Sequence, residues 1–297
     1  MIPRSFFKMW VPLVGILFCF AESRAENGAT FASGSVASAG VEMPYRVARI
    51  GNSNPSAVVI YLHGGTSKGS DNAAQLQEPG IDSIANYLVS QQMDALFLVP
   101  QCPSDKSWGG PMLGVLKAMI GKFVAEEQLA STDVYLFGGS MGGTGTWSML
   151  SAYPGLFTAA MPVAGNPSKC NAEAVAQTPV YTVMGTADRI MSVETAANFV
   201  GQLNALNGIA RFDIEEGWTH EMTCIQSYTA ARLGWVFSHQ RRPTRIAASP
   251  SDQAFTAERQ YFSLTGQRLA QPPTSGPFIT RQRNAYGTFV TSKSICR

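Results

Sequence analysis

The sequence has few charged residues and no apolar run long enough to span a membrane, and each scarcity excludes a class of protein. Charged residues make up 14% of the chain and apolar residues 45%, a balance that excludes a disordered or acidic solvating protein. The apolar run at residues 9–20 is shorter than the about 20 residues that a transmembrane helix needs. We therefore expect a folded protein without a permanent membrane anchor.

Basic residues are scarce in the main part of the chain. Residues 26–240 contain 10 basic and 17 acidic residues, a net charge of −7, whereas residues 241–297 contain 9 basic and 2 acidic residues, a net charge of +7. A nucleic-acid-binding domain carries its Lys and Arg on the folded body. Nucleic acid is therefore excluded as the main partner.

Cysteine and histidine are also scarce. No CxxC pair and no Cys/His spacing typical of a metal site occurs, so we predict no metal. Four cysteines follow the N-terminal apolar run and allow three disulfide connectivities; they are Cys102, Cys170, Cys224 and Cys296. Four cysteines are too few to build a disulfide scaffold in a chain of 297 residues. Any disulfide therefore stabilises only the segments that it links.

The N-terminus has the three parts of a secretory signal peptide. Arg4 and Lys8 precede the apolar run, and small residues follow it at Ala21 and Ala25. We predict that residues 1–25 form a signal peptide, cleaved after Ala21 or Ala25. The mature protein is then secreted or at the cell surface, where disulfides can form.

The body alternates strand-like and helix-like segments. Runs rich in β-branched and apolar residues lie at 57–62, 95–99, 134–137, 158–163 and 180–184, and helical periodicity marks 112–130 and 193–206. Such alternation predicts an α/β fold with a mostly parallel sheet and helices on both faces. A β-hairpin over residues 30–50 precedes it.

The composition changes near the end of the body. Residues 240–257 are polar, basic and interrupted by proline, which indicates a linker. We therefore divide the mature chain into a catalytic domain at 26–239, this linker, and a small β-rich segment at 258–297. In that segment, residues 260–268 predict a hairpin, and residues 276–281 and 288–291 predict a second strand pair around a turn at 284–287.

The strongest chemical signal is the sequence Gly138-Gly139-Ser140-Met141-Gly142. It follows a strand-like run and precedes a helix-like one, which is the context of a nucleophile elbow. Glycines flank the serine because a sharp turn from strand to helix brings backbone segments close together. Ser140 is therefore the predicted nucleophile rather than a simple helix cap.

A serine hydroxyl requires a base, which in this arrangement is a histidine after an acid later in the chain. His220 follows the strand-like sequence ARFDIEE, whereas His239 lies beyond the last helix-like segment, so we predict His220 as the base. Asp188 follows the 180–184 run and is the predicted acid, oriented toward His220. Its rivals lie within a strand pattern or on helix surfaces; they are Asp213, Glu215, Glu173 and Glu194.

The oxyanion that forms during acyl transfer needs backbone N–H donors. We predict that these belong to Met141, after the nucleophile, and to Gly65, in the loop His63-Gly64-Gly65-Thr66 after the 57–62 run. Thr66 is the alternative to Gly65. His63 is expected to hold this loop in shape, and no cofactor is required.

An ordered set of motifs resembles the α/β-hydrolase superfamily over about residues 40–235. The motifs are YLHGG at 61–65, VPQCP at 99–103 with Trp108, GGSMGGTGTW at 138–147, YPGLFTAAMPVAG at 153–165, GTAD at 185–188 and GWTH at 217–220. They are most similar to an esterase branch that contains feruloyl and acetylxylan esterases, polyhydroxybutyrate depolymerases and secreted peptidases.

This resemblance implies a secreted serine ester hydrolase acting on acetyl or feruloyl groups of plant cell-wall polysaccharide. A serine peptidase and a polyhydroxyalkanoate depolymerase remain alternatives on the same fold, and a non-catalytic carbohydrate-binding module is a third. Trp108, Thr66 and Trp218 are the expected substrate-binding residues, although a core position for Trp108 fits equally well.

Two further expectations concern the cysteines and the tail. Cys170 and Cys224 both fall in predicted loops near the active-site edge, where a bridge would steady the histidine loop. The C-terminal segment resembles the short β-rich sorting signals of bacterial type IX secretion, which implies a secretion machinery as its partner. A disordered basic tail is the alternative.

Overall fold

The computed structural model describes residues 23–24, 29–51, 54–127, 129, 132–241, 260–263, 267–283 and 289–296. The chain divides into two compact units between Arg241 and Arg242. The predicted signal peptide lies outside the described residues except for residues 23–24, and the predicted linker lies outside them except for residues 240–241.

The first unit alternates strands and helices along the chain. Its strands are β1 (Ser23–Arg24), β2 (Thr30–Ser38), β3 (Val41–Ile50), β4 (Ala57–Leu62), β5 (Ala95–Pro100), β6 (Asp133–Gly139), β7 (Ala159–Val163), β8 (Val180–Gly185) and β9 (Ala210–Glu215). Its helices are α1 (Pro79–Ser90), α2 (Pro111–Glu126), α3 (Met141–Ala152), α4 (Ala172–Val175), α5 (Val193–Ala205), α6 (His220–Gln226) and α7 (Ala230–Ser238).

These strands form one mixed sheet in the order β1-β2-β3-β5-β4-β6-β7-β8-β9. The strands β1, β2 and β3 pair antiparallel, and β3 joins β5 antiparallel. The remaining pairings, from β5 through β4 to β9, are parallel. The predicted α/β fold with a mostly parallel sheet is therefore confirmed, and the hairpin expected at residues 30–50 is the β2–β3 pair.

Both faces of the sheet are covered by helices. Successive residues of a strand point to opposite faces, so each strand contributes side chains to both layers. On β4, Val58 and Ile60 belong to a buried cluster with α2, α3 and α5, which we call the α3-side cluster. Val59 and Tyr61 belong to a second cluster with α1 and α7, the α1-side cluster. All six residues of β4 are buried, as is typical of a central parallel strand.

The helices begin and end where local chemistry allows. Helix α5 begins after Ser192, whose side chain accepts a hydrogen bond from the Thr195 N–H, and it buries Phe199 and Leu203 on one face. Helix α2 ends at Glu126 rather than at the predicted residue 130. The chain turns there, with the Leu129 N–H bonded to the Val124 carbonyl, because it must return to begin β6.

The second unit contains a small antiparallel sheet in the order β11-β10-β12-β13. Its strands are β10 (Gln260–Phe262), β11 (Arg268–Leu269), β12 (Gly276–Arg283) and β13 (Phe289–Cys296). Pairing of β10 with β11 and of β12 with β13 matches the two predicted strand pairs, so the β-rich character of the tail is confirmed. The predicted turn at 284–287 lies outside the described residues.

Across the parts of the chain that the structure describes, none of the helices combines the length and the apolar character needed to cross a membrane.

Candidate active site

Ser140 stands at a sharp turn between β6 and α3. Its backbone has φ 57° and ψ −116°, in the positive-φ region that non-glycine residues rarely adopt. Backbone strain of this kind concentrates at functional sites. The turn is fixed by hydrogen bonds from the Ser140 N–H to the Val163 carbonyl and from the Thr144 N–H to the Ser140 carbonyl.

The neighbouring glycines are required by close approach of backbone segments. A Cβ atom at Gly142 would lie 1.8 Å from the Leu62 carbonyl oxygen at the end of β4. A Cβ atom at Gly138 would lie 2.4 Å from the Gly142 carbonyl oxygen. Both distances are far shorter than van der Waals contact, so no other residue type fits at these positions without moving the elbow.

The structure brings Ser140, His220 and Asp188 into one hydrogen-bonded chain. Ser140 Oγ lies 2.7 Å from His220 Nε2, and His220 Nδ1 lies 2.8 Å from Asp188 Oδ2. The Asp188 side chain is 0% exposed and the His220 side chain 15% exposed. The second carboxylate oxygen, Asp188 Oδ1, accepts hydrogen bonds from the N–H groups of Ile190 and Met191, which leaves Oδ2 for the imidazole.

These side chains meet because β6, β8 and β9 are parallel and their carboxyl ends lie at the same edge of the sheet. Asp188 follows β8. A hydrogen bond from the Ala187 N–H to the Trp218 carbonyl joins the loop that carries Asp188 to the segment just before His220. His220 is the first residue of α6 rather than a loop residue. That helix begins after Thr219, whose side chain accepts a hydrogen bond from the Met222 N–H.

The rival residues are occupied elsewhere. Asp213 and Glu215 both form ion pairs with Arg232. Glu173 and Glu194 lie in the first turns of α4 and α5. The remaining candidate base, His239, has its Nδ1 atom 2.9 Å from the Trp235 carbonyl oxygen. Asp188 and His220 are thus the residues that the structure places with Ser140.

The backbone N–H groups predicted for the oxyanion hole lie at the starts of two helical turns. Met141 is the first residue of α3, and Gly65 is the first residue of a 3₁₀ turn over Gly65–Ser67. The first N–H groups of a helix have no partner within the helix and form its positive end. Gly65 and Thr66 are exposed, so a substrate can reach them.

Buried His63 fixes the peptide group that carries the Gly65 N–H. Its Nε2 accepts a hydrogen bond from the Cys102 N–H, so its Nδ1 carries the proton and donates to the Gly64 carbonyl at 2.6 Å. In a trans peptide the C=O and N–H bonds point in opposite directions, and the Gly65 N–H therefore points away from His63. Burial lowers the pKa of His63 to about 4, which keeps the ring neutral.

Gln101, in the VPQCP motif, shapes the loop after this turn. Its Nε2 donates to the Ser67 carbonyl and to Asp71 Oδ1, while its Oε1 accepts from the Asn72 N–H. No sequence motif marks these hydrogen bonds, because the partners are separated by 29 to 34 residues.

The predicted substrate-binding residues have different positions. Trp108 is buried, 2% exposed, and its indole N–H donates to the His63 carbonyl. It packs in the core beneath the loop, and only a small part of its surface borders the open cavity along α3. Trp218 is half-buried, with the Arg232 guanidinium 5.9 Å from its ring centroid. Of the three, Thr66 is the exposed one.

An open cavity of about 490 Å³ lies along α3, and Met141, the residue after Ser140, is part of its lining, whereas Ser140 and His220 are not. Other lining residues are Thr144 and Ser148 of α3, Trp108, Leu113 and Cys170. Its lining mixes apolar side chains with hydroxyl groups, as is typical of ligand sites.

The predicted disulfide between Cys170 and Cys224 is wrong, since both are free thiols. Cys170 packs against the α3-side cluster and Cys224 against the α1-side cluster, so the sheet separates them. Burial raises the pKa of Cys170 to about 11 and that of Cys224 to about 12. Neither is a reactive thiolate.

Known proteins resemble this chain in sequence and in fold. No protein-family model matches it. Poly(3-hydroxyalkanoate) depolymerase C of Paucimonas lemoignei is 29% identical over 136 residues, which are 43% of this chain and 31% of that protein. The crystal structure of a thermostable esterase superposes with a TM-score of 0.66 and 28% identity, covering 71% of this chain and 63% of that one.

A more distant structure, Est1E of Butyrivibrio proteoclasticus, superposes with a TM-score of 0.53 and 15% identity over 70% of this chain and 98% of that one. Together with the strand order and the elbow, these similarities show that the first unit has the α/β-hydrolase fold. The chain spans about a third of the length of the depolymerase and less than two thirds of that of the thermostable esterase.

Proposed function

We propose that this protein is a serine carboxylic ester hydrolase with Ser140 as nucleophile, His220 as general base and Asp188 as the acid that orients it. The observation that carries the proposal is the continuous hydrogen-bonded chain from Ser140 Oγ through His220 to Asp188. Nucleophile, base and orienting acid at these distances are the signature of nucleophilic acyl transfer. The similarity to an esterase and to a polyester depolymerase supports it.

The reaction follows from the positions of these groups. Ser140 Oγ bonds to the ester carbonyl carbon while His220 Nε2 takes the hydroxyl proton, and the carbonyl electron pair moves onto the oxygen. The Met141 and Gly65 N–H groups stabilise that oxyanion. When the carbonyl re-forms, the bond to the alcohol oxygen breaks, and His220 returns the proton to the departing alcohol.

Water completes the cycle. His220 takes a proton from water as the oxygen attacks the acyl carbon, and collapse of the second oxyanion breaks the bond to Ser140 Oγ. The carboxylic acid is released, and Ser140 Oγ takes the proton back from His220 to regenerate the free hydroxyl. No step needs a metal or an organic cofactor.

We propose acetyl or feruloyl esters borne on plant cell-wall polysaccharide as the substrates. The motif resemblance supports this class, and an open cavity along α3 has Met141, the residue after Ser140, in its lining. The second candidate is a polyhydroxyalkanoate, which the similarity to the Paucimonas lemoignei depolymerase favours. Both candidates use the same chemistry and differ in the alcohol and acyl parts.

A substrate panel tests the activity and separates the candidates. Purified protein is assayed on an aryl acetate, methyl ferulate, acetylated xylan, polyhydroxybutyrate and a peptide anilide, with a Ser140→Ala variant as the control for contaminating hydrolases. We expect esters to be hydrolysed far faster than the anilide, because resonance with nitrogen makes an amide carbonyl less electrophilic and an amide anion is a poorer leaving group than an alkoxide. Faster cleavage of the anilide would make the protein a peptidase.

We propose further that residues 1–25 direct export and that the second unit is a sorting signal read by a secretion machinery. The separation of the chain into two compact units after Arg241 supports different roles for the first and the second unit. A chain ending at Arg241 is expected to retain the kcat and Tm of the full chain while its export or surface retention changes. A truncated chain that unfolds or loses activity would contradict the proposal.

A further inference from the structure

Glu78 contacts both ends of the turn that presents the Gly65 N–H. Its Oε1 atom accepts a hydrogen bond from the Gly64 N–H at 3.0 Å and from the Ser67 hydroxyl at 2.7 Å. Gly64 immediately precedes the 3₁₀ turn, and Ser67 is its last residue. One carboxylate oxygen therefore ties the start of the turn to its end.

The carboxylate also lies close to the nucleophile. A Cβ atom at Gly64 would lie 3.4 Å from Glu78 Oε1 and 3.7 Å from Ser140 Cβ, so Glu78 and Ser140 flank the same side of Gly64. Glu78 is half-buried and is the N-cap residue directly before α1. Its position is thus fixed by the helix, while its side chain reaches back to the loop after β4.

His63, which is buried, and Glu78, which is half-buried, bond to different polar groups of Gly64. His63 holds the Gly64 carbonyl, and Glu78 holds the Gly64 N–H. The Gly64 N–H is therefore already engaged, which leaves the exposed Gly65 and Thr66 at the start of the turn to face a substrate. Both of these hydrogen bonds go to the turn and neither involves a residue of the proposed triad; Glu78 also interacts with the buried Tyr61 hydroxyl.

We propose that Glu78 is a positioning residue of the oxyanion hole, holding the Gly64–Ser67 turn so that the Gly65 N–H is aimed at the developing oxyanion. The inference rests on the proposed function of this site. The Glu78 carboxyl group accepts two hydrogen bonds from the turn, and a preorganised donor needs no reorganisation when negative charge develops in the transition state.

The test compares Glu78→Ala with Glu78→Gln and with a matched control. Glutamine keeps Oε1 as an acceptor for both donors, whereas alanine removes it. The control is Asp133→Ala, because the half-buried Asp133 carboxylate also accepts from one hydroxyl, that of Thr158, and one backbone N–H, that of Arg241. Asp133 begins β6, at the opposite end of that strand from Ser140.

Loss of one oxyanion donor lowers kcat by about 10²–10³ in other serine hydrolases, and a misaimed donor is expected to lower kcat by about 10–100-fold. Glu78→Ala should show this fall in kcat when the rate is divided by the concentration of active sites, which is measured by titration with an organophosphate. KM should be nearly unchanged, because the hydrogen bond from the Gly65 N–H to the substrate oxygen strengthens only in the transition state. Glu78→Gln should recover most of the rate. Asp133→Ala should lower Tm while keeping the wild-type kcat.

Ser67→Ala gives a second measurement, which stands alone if Glu78→Ala folds poorly and otherwise completes a double-mutant cycle with it. Ser67→Ala alone should lower kcat less than Glu78→Ala, and the double variant should be no slower than Glu78→Ala, because both changes act on one contact. Additive losses, or a Glu78→Ala variant that matches Asp133→Ala in titrated kcat, would overturn the proposal.

Amide hydrogen exchange over residues 63–69 requires no substrate and separates this proposal from the proposed function. Faster exchange of this segment in Glu78→Ala than in Asp133→Ala is expected, and equal exchange would overturn the positioning role even if the wild type proves inactive. Absence of any Ser140-dependent hydrolysis in the wild type would instead contradict the proposed function.

Discussion

Replacing Ser140 with alanine is expected to lower kcat for ester hydrolysis by a factor of about 10⁶, because nucleophile and base act as a unit. His220→Ala should lower kcat by a similar amount, since His220 Nε2 is the atom hydrogen-bonded to Ser140 Oγ. The fold should be retained in both variants. The measurement is kcat on the best substrate of the panel, with Tm recorded for each protein.

Two variants at the C-terminal end of α7 serve as matched controls. Ser238 and His239 both bond through their side chains to the Trp235 carbonyl, away from the proposed triad. Ser238→Ala and His239→Ala are expected to keep wild-type kcat. A pure Ser140→Ala protein that retains more than a few per cent of the activity would rule out the assignment of the nucleophile.

Replacing Asp188 with asparagine is expected to lower kcat by about 10⁴, less than the loss of Ser140 or His220. Asp188 Oδ1 is held by two backbone N–H donors, so the asparagine oxygen takes that place and its amide nitrogen faces His220 Nδ1. The imidazole then carries its proton on Nε2 and is unable to accept the Ser140 proton. The measurement is kcat together with Tm.

Asp213→Asn is the matched control for this prediction, because Asp213 is a carboxylate on the neighbouring strand β9 that pairs with Arg232. It is expected to lower Tm while leaving kcat close to the wild-type value. Equal activity in Asp188→Asn and in the wild type would assign the orienting role to another carboxylate.

The fold was largely predictable from the sequence because its central strands are buried on both faces. The runs at 57–62 and 180–184 are continuously apolar or β-branched, and the observed strands β4 and β8 match them to within one residue. The positions of Ser140, Asp188 and His220 at neighbouring strand ends also follow from chain order. Parallel strands bring their carboxyl ends to the same edge, so this part of the site needs no knowledge of side-chain packing.

What depends on packing across the chain was not predictable. Cys170 and Cys224 both follow strands, but nothing in the local sequence indicates that they lie on opposite faces of the sheet. Trp108 lies in the core because Gly145 leaves room for it, where a Cβ atom would be 2.3 Å from the Trp108 Cβ. Glu78 reaches the turn at Gly64 from a helix 14 residues away in sequence, with no motif to mark it.

Covalent labelling with a fluorophosphonate reports directly whether Ser140 is an activated nucleophile, since such reagents phosphonylate an activated serine and are otherwise inert toward serine hydroxyls. We expect one reagent molecule to bind per chain, tryptic mass mapping to place it on Ser140, and His220→Ala to abolish the reaction. A wild-type protein that remains unlabelled, or that is labelled at any residue other than Ser140, would rule out Ser140 as the nucleophile.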